Sequence, residues 1–288
     1  MKTVLEKLRA QAASDGNGVK LMRVFGGHQP ERFDPFLMLD DFGSDSADDY
    51  IGGFPAHPHR GFETITYMLQ GKMEHRDHMN NVGLLEDGGL QWMTAGRGVI
   101  HSEMPQQSQG KMHGFQLWLN LPAAKKMQAA RYEDVAAANI PNYKLEGLTI
   151  KALAGRAEID GQKIEGYFQV EDTEALYLDL HLEADKNLRL DLNPGLNTLV
   201  YVYDGQIKIA ETEIHRQELA RLSYENGEQK LEIQSTKDSK ILLLAGRPLR
   251  EPIVQYGPFV MNSIEEIEQA LRDYREGQLA ANAVNSGP

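Results

Sequence analysis

Apolar residues recur mostly at every second position of this chain, the period of a half-buried β-strand. Phe62–Leu69 is rich in β-branched and aromatic residues and ends at the turn signal Gln70-Gly71. Leu90–Thr94 and Phe115–Leu119 read as further strands. In the second half Leu176, Leu178, Leu180 and Leu182 alternate with Tyr177, Asp179 and His181. Leu199–Tyr203 runs into Asp204-Gly205, a hairpin signal. Many short strands with Gly-rich turns predict an all-β chain of antiparallel barrels or sandwiches. In Phe115–Asn120 the pattern leaves open whether Gln116, Trp118 and Asn120 or Phe115, Leu117 and Leu119 face the interior.

Two stretches break the alternation. Pro122–Ala130 is Ala-rich and helix-friendly, and Pro141 closes the Leu121–Pro141 segment, which reads as a link between two β domains. Near the C-terminus Ser263-Ile-Glu-Glu266 has the form of a capping box. Ile264, Ile267, Leu271 and Tyr274 then share a helical face, and Gly277 ends the helix. The Ala280–Pro288 tail is expected to be mobile. A faint internal repeat lays Thr66–Glu74 over Val200–Lys208. The same offset sets His57 and His59 on Asp191 and Asn193.

Composition narrows the function classes. A net charge of −12 and a pI of about 5.2 argue against direct binding to nucleic acid. The absence of cysteine excludes disulfides, thiolate metal sites and a cysteine nucleophile. Met1–Ala13 lacks the apolar run of a signal peptide, and Ile241–Ala245 is too short to span a membrane. A soluble, cytoplasmic, monomeric protein without membrane contact is expected.

The candidate chemistry lies in two triplets, His57-Pro58-His59 and His101-Ser102-Glu103. Side chains at i and i+2 of a strand share a face, so two such pairs on neighbouring strands aim four ligands at one point. Three imidazoles and a carboxylate suit a divalent transition metal. Each triplet follows a Gly-rich turn. His57, His59 and Glu63 also share a parity, which makes Glu63 a candidate to support the ligands. His75 and His78, among Glu74, Arg76 and Asp77, read as a solvated hairpin face. Lys125-Lys126 reads as a solvated pair, and His28, His113, His181 and His215 as lone structural residues.

His57-x-His59-x3-Glu63 followed by Gly98-x-x-His101 resembles the cupin signature. More narrowly, Arg23–Gly27, Asp34–Phe42, His57–Thr64, Gln91–Gly98, His101–Pro105 and Gly257–Asn262 resemble the pirin family, whereas Asn142–Ser239 matches weakly. Gly96 stands where the cupin pattern has proline. The resemblance implies two cupin (jelly-roll) β-barrels in tandem with a C-terminal helix. An N-terminal barrel over residues 1–130 would carry the metal, and residues 131–288 would form a second barrel without ligands, plus the helix. It implies the ligand set His57, His59, His101 and Glu103, with Fe2+ as the metal and Mn, Ni, Cu or Zn as alternatives.

The same resemblance implies quercetin 2,3-dioxygenase activity. The metal would have positions open to a flavonol and to O2, and Glu103 would act as the catalytic proton acceptor. Its alternative is a non-enzymatic, iron-dependent regulatory protein that binds a transcription factor or a metabolic enzyme. A sugar-phosphate isomerase ranks last, since only Arg60 and Arg97 lie near the motifs.

Overall fold

The computed structural model describes residues 1–224, 227 and 229–281; residues 282–288 of the C-terminal tail lie outside the described residues. It consists of β-strands, four short 3-10 turns and one α-helix. The chain forms two compact units, and they are not consecutive segments. One comprises 12–32, 36–137 and 250–288; the other comprises 1–11, 33–35 and 138–249. A single boundary at residue 130 therefore does not describe them. The strand Val4–Arg9 pairs with Glu218–Leu222, so the N-terminal strand serves the sheet of the later unit.

Each unit is a pair of sheets with a core between them, not one closed barrel. The first unit has a seven-stranded sheet in the order 131–135, 90–94, 62–70, 112–120, 36–44, 19–26, 11–15. Its second sheet has four strands in the order 54–59, 99–105, 73–77, 82–85. The second unit repeats the larger sheet strand for strand: 4–9, 218–222, 197–204, 239–246, 176–182, 148–154, 142–145. The Thr66–Val200 repeat is thus an architectural one, with strand 62–70 and strand 197–204 at equivalent places. Each unit has the two-sheet build that the cupin resemblance predicts, and the described chain carries one C-terminal helix.

The two interiors differ. In the second unit Leu188, Leu190, Leu231 and Ile233 join one continuous hydrocarbon core. Strands 187–191 and 230–235 hold the places that strands 54–59 and 99–105 hold in the first unit. Aliphatic side chains fill the region where the first unit carries its histidines. Asp191 is exposed, and Asn193 bonds Glu174 at the surface at 2.9 Å.

The helix runs Ile264–Arg275 with the expected capping box: Glu266 N–H donates to Ser263 Oγ at 3.2 Å, and Ser263 N–H donates to Glu266 Oε2 at 3.1 Å. Its buried stripe is Ile267 and Ala270 with Leu271, whereas Ile264 and Tyr274 are exposed. The buried stripe is narrower than the sequence predicts and includes Ala270. No helix among the described residues is long and apolar enough to cross a membrane.

Pro122–Ala130 does not become an α-helix; only Ala123–Lys125 forms a 3-10 turn. The stretch is shorter than the roughly 12 residues a marginal isolated helix needs. Lys126 explains its path. Far from solvated, it is 1% exposed, and its Nζ donates to Asn120 Oδ1 at 2.6 Å, Gly61 O at 2.7 Å and Val260 O at 3.0 Å. This ammonium gathers a strand end, a turn and the C-terminal segment of the first unit. Lys126→Met would leave those acceptors buried without a donor, at about 1–3 kcal/mol each. A fall of about 3 kcal/mol or more in unfolding free energy is expected by urea titration. A change below about 0.5 kcal/mol would assign the anchoring to other contacts.

Candidate metal centre

The two triplets lie on adjacent antiparallel strands, Phe54–His59 and Val99–Pro105. His101 stands opposite His57, and Val99 opposite His59. Pro58 interrupts no needed hydrogen bond because Phe54–His59 is the edge of its four-stranded sheet. One nitrogen from each of His57, His59 and His101 lies within 4.8 Å of the others, so the three could hold a metal ion.

The hydrogen-bonding pattern fits metal ligation. His57 Nδ1 lies 2.8 Å from Pro55 O, so it carries the proton and leaves Nε2 as the lone pair. His101 Nδ1 lies 2.7 Å from His75 Nε2, and His101 Nε2 is buried without a partner. His59 Nδ1 is likewise buried and unpartnered. Burial pushes His59 and His101 well below the usual imidazole range, and neighbouring imidazoles push them further. Both are therefore neutral at physiological pH, the form that binds a metal.

Glu103 is buried on the same strand as His101 but stands apart from the tight imidazole cluster. Its pairing with Phe54–His59 shifts register between His101 and Glu103. Its Oε1 lies 3.2 Å from Thr66 Oγ1, which lies 2.6 Å from Gln116 Oε1. Glu63 goes elsewhere: its Oε1 accepts from Thr94 Oγ1 at 2.6 Å. The parity argument fails because Arg60 and Gly61 separate strand 54–59 from strand 62–70, and Gly61 takes φ +91°. A Cβ on Gly61 would stand 2.0 Å from Val260 O, so only glycine fits there. After that break Thr66, not Glu63, faces the site.

His57, His59, Thr66 and Glu103 line a cavity of about 550 Å³ within the first unit. Gln116 and Trp118 line it too, which settles the open question about that strand. Phe42, Phe54, Leu21, Met38 and Met73 supply an apolar wall. Gln255, Gly257 and Pro258, from a C-terminal hairpin, complete it, and Gln255 Oε1 is buried without a partner. Arg23 also lines it and is clamped on Asp40, Nε to Oδ1 at 2.9 Å and Nη2 to Oδ2 at 2.8 Å.

Several of these residues gave no usable signal as lone letters. His75 did give one: Met73, His75 and Asp77 are the buried face of their strand, with Glu74 and Arg76 turned outward. The solvated reading therefore holds for Arg76 and fails for His75 and Asp77. Arg60 is 4% exposed and bound to Asp273 at 2.7 Å, so it is not a phosphate ligand.

The pattern described as Pirin matches residues 18–119, and the pattern described as Pirin C-terminal cupin domain matches residues 177–280. A Pseudomonas aeruginosa protein named "putative quercetin 2,3-dioxygenase" is 54% identical, with the alignment covering 97% of this chain and 98% of that one. The chain belongs to the pirin family. Pirin of Mus musculus is 39% identical over 96% of this chain and 93% of its own. A crystal structure of quercetin 2,3-dioxygenase from Acinetobacter baumannii superposes with a TM-score of 0.88 at 32% identity, covering 97% of this chain and 98% of that one. The family assignment covers both units, including the second, whose sequence signal was weak.

Proposed function

We propose that this pirin-family bicupin is a metal-dependent quercetin 2,3-dioxygenase whose ligands are His57, His59, His101 and Glu103. The observation that carries the reading is a cluster of three imidazoles, two of which, His57 and His59, line a largely apolar cavity of about 550 Å³. Cavities of roughly 300–1,000 Å³ take drug-sized ligands, a class that includes flavonols. A regulatory module that signals only through its surface needs no enclosed apolar space of this kind.

Charge favours the same substrate class. The lining holds Asp15, Asp40 and Glu103 against the one cation Arg23, an excess of two formal negative charges. A divalent metal balances it and leaves a site suited to a neutral polyphenol. Oxalate or a sugar phosphate would meet no uncommitted arginine of the lining, since Arg23 is held by Asp40 and Asp15. Such a substrate would have to displace a buried carboxylate.

When bound, a divalent transition metal supplies Lewis acidity and coordination positions for the substrate oxygens and dioxygen. The family resemblance implies iron. The protein groups do the rest. Glu103 takes the proton of the flavonol 3-hydroxyl. Thr66 and Gln116 hold that carboxylate from behind. Trp118, Phe42 and Phe54 flank the aromatic rings and keep water away.

The test is oxygen consumption with quercetin by protein loaded with Fe2+, Mn2+, Ni2+, Cu2+ or Zn2+ in turn, with carbon monoxide release measured in parallel. Turnover with at least one metal, with carbon monoxide and oxygen in equal amounts, is expected. No turnover with any of them, while a known quercetinase is active in the same assay, would overturn the reading. A stoichiometric partner captured in only one iron oxidation state would then favour the regulatory alternative.

A further inference from the structure

We propose that His75 is a positioning residue for the metal centre: its imidazole fixes His101 in the tautomer that presents Nε2 to the metal. The inference rests on the metal-site reading above. His75 Nε2 and His101 Nδ1 lie 2.7 Å apart, close enough for a well-formed hydrogen bond. Two neutral imidazoles in this contact share one proton between the facing nitrogens. If His101 Nδ1 holds it, His101 Nε2 is a lone pair. If His75 Nε2 holds it, His101 carries its proton on Nε2 and offers an N–H where a ligand is needed.

The surroundings hold the His75 ring in place, and a metal drawing on the His101 Nε2 lone pair would select the first arrangement. His75 is 2% exposed on the central part of its sheet, opposite Glu103 in register. Its ring packs against Tyr132, with centroids 5.1 Å apart. Its other nitrogen, Nδ1, is buried with no hydrogen-bond partner. A core selected only for stability would fill this place with a hydrocarbon side chain, since an unsatisfied buried polar group is costly. An imidazole kept here at that cost is explained by the proton acceptor it offers to His101. Outer partners of ligating histidines orient the ring and raise its basicity, and their loss typically weakens metal binding about 10–100-fold.

The experiment has two arms. In Zn2+-loaded wild-type protein, 15N NMR of the histidine rings should report His101 protonated at Nδ1 and His75 protonated at Nδ1 with a bare Nε2. Protonation of His75 at Nε2 would overturn the proposal without any variant. In the second arm, Co2+ affinity is measured by chelator competition for wild type, His75→Gln and His75→Leu, with apo-protein melting recorded alongside. His75→Gln retains an acceptor oxygen and should bind within about threefold of wild type. His75→Leu should lose about 10–100-fold, even where its apo form melts as high as wild type. Equal affinity in His75→Leu, or an equal loss in both variants, would overturn the proposal. A wild type that binds neither Zn2+ nor Co2+ would overturn the metal-site reading itself and this inference with it.

Discussion

His101→Ala is expected to empty the centre: bound metal falls from about one ion per chain to background, and oxygen uptake with quercetin falls below detection. His101 sits where three constraints meet. It stands opposite His57 on one neighbouring strand and opposite Asp77 on the other. Its Nδ1 meets His75, and its ring lies 4.4 Å from that of His57 and 4.9 Å from that of His59. Deleting it removes one imidazole of three and strands the His75 acceptor. The loss should exceed the roughly 100-fold that marks removal of an outer partner. Metal analysis of natively purified variant, beside circular dichroism to verify the fold, checks it. A folded variant that keeps wild-type metal content would move the centre elsewhere.

The candidate His cluster was legible because strand periodicity is strict over short distances. Two residues apart on one strand means one face: His57 and His59 meet His101 within 4.8 Å, whereas Glu103, buried on the strand of His101, lies outside that cluster. The rule failed where the strand ended. Glu63 was placed by counting through Arg60 and Gly61, and the left-handed Gly61 resets the face. Lys126 was misread for a related reason. Nothing local marks a lysine as buried when its acceptors come from residues 61, 120 and 260. His75 shares its buried face with Met73 and Asp77, two residues to either side, and that alternation, not its spacing from His78, marks it as interior.

At the level of the fold, the alternation predicted strands and the repeat predicted two copies. The crossing of the termini was not legible. Val4–Arg9 and Arg131–Val135 occupy equivalent edges of the two large sheets, yet each lies about as well patterned for either. Edge strands bury half their side chains, and such a pattern fixes a face without naming a partner. The C-terminal hairpin of the cavity had the same problem. Gln255, Gly257 and Pro258 are remote in sequence from the histidines and carry no metal-binding letter.

Glu103→Gln separates binding from chemistry at the same centre. Thr66 has one hydroxyl hydrogen and two oxygen neighbours, Glu103 Oε1 at 3.2 Å and Gln116 Oε1 at 2.6 Å. Both contacts are satisfied when Gln116 turns its amide to donate Nε2–H to Thr66 and Thr66 donates to the carboxylate. This chain holds Glu103 as an acceptor at the cavity wall, where it can take a proton from a substrate hydroxyl. Glutamine matches glutamate in shape but removes that basicity. A general base contributes roughly 10²–10⁴-fold, so kcat/KM for quercetin should fall by about that factor in Glu103→Gln. The three imidazoles remain, and the variant should still fill with metal at saturating concentration. Its weaker affinity would report the carboxylate's part in ligation, and its lost turnover would report the part in proton transfer. Activity within about threefold of wild type, at full metal occupancy, would remove Glu103 from the chemistry and leave it a ligand only.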